Sequence, residues 1–144
     1  MRAIKSAIVI LLLSAITVPA FAGSEVTQLT AANMDRQHSF VFDIKTEKKY
    51  DGIHFTLTIT AKPIVTLSPI LEGSLSVMDG QTAIATVPVD GNRVHNTVTY
   101  EFTVAEKVLE KSTFNFGNMG VSKGKPQSSG DFYWFYLKDV MDPK

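Results

Sequence analysis

Apolar and polar residues alternate with a period of two through segment after segment of this chain, and no stretch keeps a helical period beyond two turns. In "IHFTLTITA", Ile53, Phe55, Leu57 and Ile59 fall on one side while His54, Thr56, Thr58 and Thr60 fall on the other. In "SFVFDIKTE", Phe40, Phe42 and Ile44 share a side. Successive side chains of a strand point to opposite faces, so each pattern describes a strand with one apolar and one wet face. Such strands bury their apolar faces only against a second sheet or a helix layer, and no segment supplies the helices.

Turn chemistry then divides the chain. "KKYDG" closes a hairpin between the two strands just named, and Asp79-Gly80-Gln81 separates "GSLSVMD" from "TAIATVPV". After Asp90-Gly91-Asn92 comes "VHNTVTYEFTV", read as one long strand with Val94, Asn96, Val98, Tyr100, Phe102 and Val104 on its inner side. "AEKVLEK" reads as a short helical corner, "STFNFG" as a short strand, and the Gly/Ser/Lys-rich stretch 117–130 as a loop. Residues 24–37 lack alternation and read as an irregular arm or an edge strand. The sum is about seven strands at close spacing, the pattern of an antiparallel β-sandwich of immunoglobulin-like architecture.

The first 22 residues stand apart from that fold. "MRAIK" is a cationic start, "SAIVILLLSAITV" an apolar run short for a bilayer span, and "PAFA" a small-x-small signal ending at Ala22. The expectation is a cleaved secretory signal, one domain over 23–144, and a periplasmic location, with release to the medium as the alternative. No cysteine follows the cleavage site to carry a lipid anchor.

Without Arg2 and Lys5 the 14 basic residues become 12 against 14 acidic ones, a balance of −2 with histidine neutral. That is no footprint for nucleic acid or anionic lipid. The absence of cysteine excludes a disulfide framework, thiol chemistry and a thiolate metal site.

Catalytic signatures are thin. Asp51, Asp79 and Asp90 each precede a glycine, where they serve turns, and no EF-hand run is present. There is no G-x-S-x-G elbow, and "GVSKGKP" departs from a phosphate loop in glycine spacing and in having Pro126 where a hydroxyl must hold the metal. If the first hairpin turns at Lys48 to Asp51, His38 lies opposite Ala61 and too far from His54 to share an ion. His54 and His95, on exposed threonine faces, could be neighbours in one sheet, but two histidines fall short of a metal site. No cofactor, no metal site and no enzyme activity are expected.

One segment breaks the alternation. "DFYWFYLKDV" carries Phe132, Trp134 and Tyr136 on one face and Tyr133, Phe135 and Leu137 on the other, so both are apolar. The largest ring gains most from burial, which predicts that the Trp134 face turns into the sandwich and that Tyr133, Phe135 and Leu137 form a contact surface. Loop 117–130 or arm 24–37 could fold over that surface. Otherwise a partner covers it: another exported protein, a second copy of the chain, or a flat apolar or sugar ligand. The function expected is an exported, non-enzymatic binding or accessory module acting through its last strand. The alternative is a small metal-handling protein or enzyme with a site at the strand ends.

Overall fold

A computed structural model describes residues 25–36, 39–122 and 125–141; the leader 1–22 and His38 lie outside them. Within them the chain is an all-β sandwich of two packed sheets. Nine strands form it: β1 Glu25–Gln28, β2 Phe40–Lys49, β3 Gly52–Ala61, β4 Leu71–Asp79, β5 Thr82–Pro88, β6 Gly91–Val94, β7 Thr97–Val104, β8 Ser112–Ser122 and β9 Lys125–Tyr136. One sheet runs β1-β9-β8-β4-β5 and the other β2-β3-β7-β6. All neighbours are antiparallel except β1 and β9. A 3-10 turn, Glu106–Lys111, makes the corner from β7 to β8 where the helical corner is expected.

Alternation builds the core as the sequence implies. Phe40, Phe42, Ile53, Phe55, Leu57, Ile59, Val98, Tyr100, Phe102 and Val104 face inward from the four-stranded sheet, and all are buried. Phe114 and Phe116 of β8 meet them from the other side. Phe102 stacks on Phe55 at 5.3 Å and on Phe114 at 5.2 Å between ring centres, which joins the two layers ring to ring. The Tyr100 ring packs against two glycines on different sheets, Gly73 of β4 and Gly91 of β6, where any Cβ would run into it.

Several expectations are corrected. The expected strand 94–104 is a hairpin: β6 and β7 pair Val94 with Thr97, and His95 takes φ +54 in the turn between them. Val94 is exposed, and Asn96 faces no core; its carbonyl accepts from the Ala61 N–H at 2.9 Å. The first hairpin pairs Lys49 with Gly52 and Phe40 with Ala61, two residues out of the expected register. Gly80 takes positive φ in its turn as an Asp-Gly step should, and Gly52 takes it as the first residue of β3, whereas Gly91 does not and instead gives room to Tyr100. The described part of 117–130 is strand where a loop is expected: β8 and β9 continue pairing as far as Ser122 and Lys125. The arm around 24–37 supplies β1, which extends the sheet sideways by pairing Val26 with Phe132 and Gln28 with Trp134. Among the described residues, β1 and β8 lie beside the aromatic strand in its own sheet.

Candidate binding face on the five-stranded sheet

Strand β9 is turned over relative to the expectation. Tyr133, Phe135 and Leu137 are buried, with only 6%, 1% and 0% of their surface exposed, while Phe132, Trp134 and Tyr136 are half-buried on the outer side. The cause is pairing. Phe135 stands opposite Phe114 and Tyr133 opposite Phe116, so the face of β9 that joins the rings of β8 goes inward. Tyr133 then meets Phe42 at 5.0 Å and Phe40 at 5.8 Å, both edge to face. Tyr133, Phe135 and Leu137 therefore belong to the core, and the outward aromatic residues of the last strand are Phe132, Trp134 and Tyr136.

Register arranges this outer face in rows across the sheet. One row reads Gln28, Trp134, Asn115, Ser74 and Pro88. On one side of it lie Val26, Phe132, Gly117 and Glu72, and on the other Tyr136, Thr113, Ser76 and Thr86. The Phe132 ring lies across Gly117, where a Cβ would stand 3.0 Å from two of its carbons. Trp134 and Tyr136 meet at 5.5 Å with their planes 70° apart, forming a corner rather than a platform. The Lys138 ammonium sits 5.5 Å from the Tyr136 ring centre.

A polar strip adjoins the rings. The Asn115 Nδ2 amide donates to the Ser76 hydroxyl at 3.2 Å and to the Ser74 carbonyl and hydroxyl at 3.4 Å. Ser76 and Thr86 share a hydrogen bond of 2.9 Å. These contacts lock the Asn115 amide plane with Nδ2 toward β4. Its Oδ1 makes no hydrogen bond within the described residues, and neither does the side-chain amide of Gln28. Trp134 thus stands between two amides that keep hydrogen-bonding capacity.

The opposite face of the molecule carries the histidine candidates. His54 Nδ1 lies 3.0 Å from Thr103 Oγ1 and its Nε2 3.2 Å from Glu101 Oε1. These cross-strand contacts between β3 and β7 escaped the sequence reading, because only the register places Thr103 opposite His54. A hydroxyl, imidazole and carboxylate in series have the composition of a nucleophile set, but such a set works only with a pocket and oxyanion donors beside it. The cleft that Thr103 borders, about 180 Å³ between β4, β5 and the β7 corner, is lined mainly by Leu75, Val77, Ala85, Val87, Val104 and Val108. His95 lies in the turn beyond Thr97, about 20 Å along β7 from the Thr103 level where His54 sits. The two histidines are not neighbours. Among the described residues no group of three or more His, Cys, Asp and Glu is placed to hold a metal ion.

No protein-family model and no curated protein matches this chain, so its function is read from the geometry alone.

Proposed function

We propose that this chain is an exported, non-enzymatic binding or accessory module whose contact surface is the outer face of its last strand. The carrying observation is the Phe132, Trp134 and Tyr136 ridge, three aromatic residues on the solvent side of a sheet whose core face is already filled. The outward positions of β3 and β7 carry threonine at Thr56, Thr58 and Thr60 and at Thr97, Thr99 and Thr103, and against them three outward rings in one strand depart from the rule for a wet face. The leader-like first 22 residues support an exported, periplasmic setting, with the medium as the alternative compartment. The immunoglobulin-like character of the sandwich belongs to the same proposal, supported by the strand orders β1-β9-β8-β4-β5 and β2-β3-β7-β6.

The test is the double variant Trp134→Ala with Tyr136→Ser, made in the exported protein and compared with wild type by sedimentation and by co-purification from the exported fraction. The variant should remain folded and lose the partner or ligand that wild type carries. A variant that keeps it would move the contact surface elsewhere.

A further inference from the structure

The row Gln28, Trp134, Asn115 and Ser74 points to the chemistry of the ligand, and we propose that this face binds a neutral oligosaccharide lying across the strands over Trp134. The inference rests on the binding-face reading above and names its ligand class. Three observations favour a sugar over a macromolecular partner.

First, the apolar patch is small. The half-buried Trp134 and Tyr136 rings leave roughly 150 Å² open, against about 800 Å² per partner in a stable protein interface. Second, the polar groups beside the indole match a polyhydroxyl ligand. The free Asn115 Oδ1 accepts from a sugar hydroxyl, the Gln28 amide both donates and accepts, and the Ser74 hydroxyl, which accepts from Asn115, has its proton to give. The indole face takes the C–H side of the ring. Asn115 is held in place by its bonds to β4, so little side-chain freedom is lost on binding. Third, the four residues stand on four adjacent strands, β1, β9, β8 and β4, so the row spans about 14 Å, the reach of a short extended oligosaccharide. Glu72 on this face disfavours polyanionic glycans and nucleic acid.

Trp134 is the one tryptophan of the chain, so its fluorescence reports this site alone. Cellohexaose and the hexamer of N-acetylglucosamine, titrated separately into the exported protein, are the probes. At least one should give a saturable change with a Kd below about 1 mM. Gln28→Ala and Asn115→Ala should each weaken it at least tenfold, and Gln28→Ala, at an exposed edge position, should leave the melting temperature unchanged. Absence of a response to both sugars overturns the proposal, as does a response that survives both substitutions. Loss of self-association or of a protein partner in the Trp134→Ala, Tyr136→Ser variant, with no sugar response in wild type, leaves the binding face standing and removes the glycan. If neither sugar nor association depends on these residues, both readings fall.

Discussion

Adjacent residues of β9 differ in what surrounds them more than in their chemistry. Phe135 is enclosed by Phe114 and its neighbours, so Phe135→Ala leaves a void that the sandwich cannot close and should cost about 3 to 5 kcal/mol. Trp134→Ala, on the half-buried side, lets water into the vacated space and should cost about 1 to 2 kcal/mol. Urea titrations of the two variants decide it; a larger loss from Trp134→Ala would mean the strand is turned the other way. A second residue-scale expectation comes from Tyr100. Burial, and then the Glu72 carboxylate, disfavour its phenolate and raise its pKa above the usual tyrosine value. The unfolded chain therefore gives up this proton first. The stability held by the neutral phenol is complete below about pH 10 and falls as pH rises further, by about 1.4 kcal/mol per pH unit. Tyr100→Phe has no such proton, so its stability should fall less steeply between pH 9 and 11 than that of wild type, with the difference read from paired urea curves. Equal slopes would show that Tyr100 ionises in the folded protein as readily as in the unfolded chain.

Among the elements, β5 presents the most telling edge. It ends its sheet, all seven of its residues are exposed, and none is charged, which describes a strand that other chains could pair with. Two features blunt it. Val77 pairs with Ala85 and Met78 with Ala83, which leaves Ile84 as a bulge, and Pro88 has no N–H to offer. Deleting Ile84 together with Pro88→Thr should regularise the edge and increase self-association in sedimentation. An unchanged monomer would show that the bulge and the proline are not what keeps the edge unpaired. The tie from β6 shows how a short strand is held. The Arg93 guanidinium donates to the Leu67 and Ser68 carbonyls at 2.7 and 2.6 Å, and Asn118 accepts from the Ser68 N–H at 2.7 Å, so the crossing segment between β3 and β4 is fixed from both sheets. Turns made with glycine, such as Asp79-Gly80-Gln81, are legible in the sequence. The His95-Asn96 turn is not, because His95 reaches positive φ without the residue that signals it.

Both sheets contribute to one continuous apolar core, which runs from Leu29 beside β1 through the rings of β2, β7 and β8 to Val140 after β9. One core implies one transition. Urea unfolding followed by Trp134 fluorescence, which reports the five-stranded sheet, and by far-ultraviolet circular dichroism, which reports both sheets, should give coincident curves. Separate midpoints would mean the sheets unfold independently. With no cysteine in the chain, no covalent crosslink contributes to that cooperativity. The sequence by itself determined the all-β class, the inward faces of β2, β3 and β7, and the lack of any thiol chemistry, because period-two alternation and composition are local properties that each segment states alone. Tertiary structure decided the pairing of β8 with β9 through a stretch whose composition reads as loop, the place of β1 beside Trp134, and the direction in which Trp134 points. An alternating strand names its own buried face, whereas one that is apolar on both faces acquires an inside only from the neighbour it pairs with, here the inward Phe114 and Phe116 of β8.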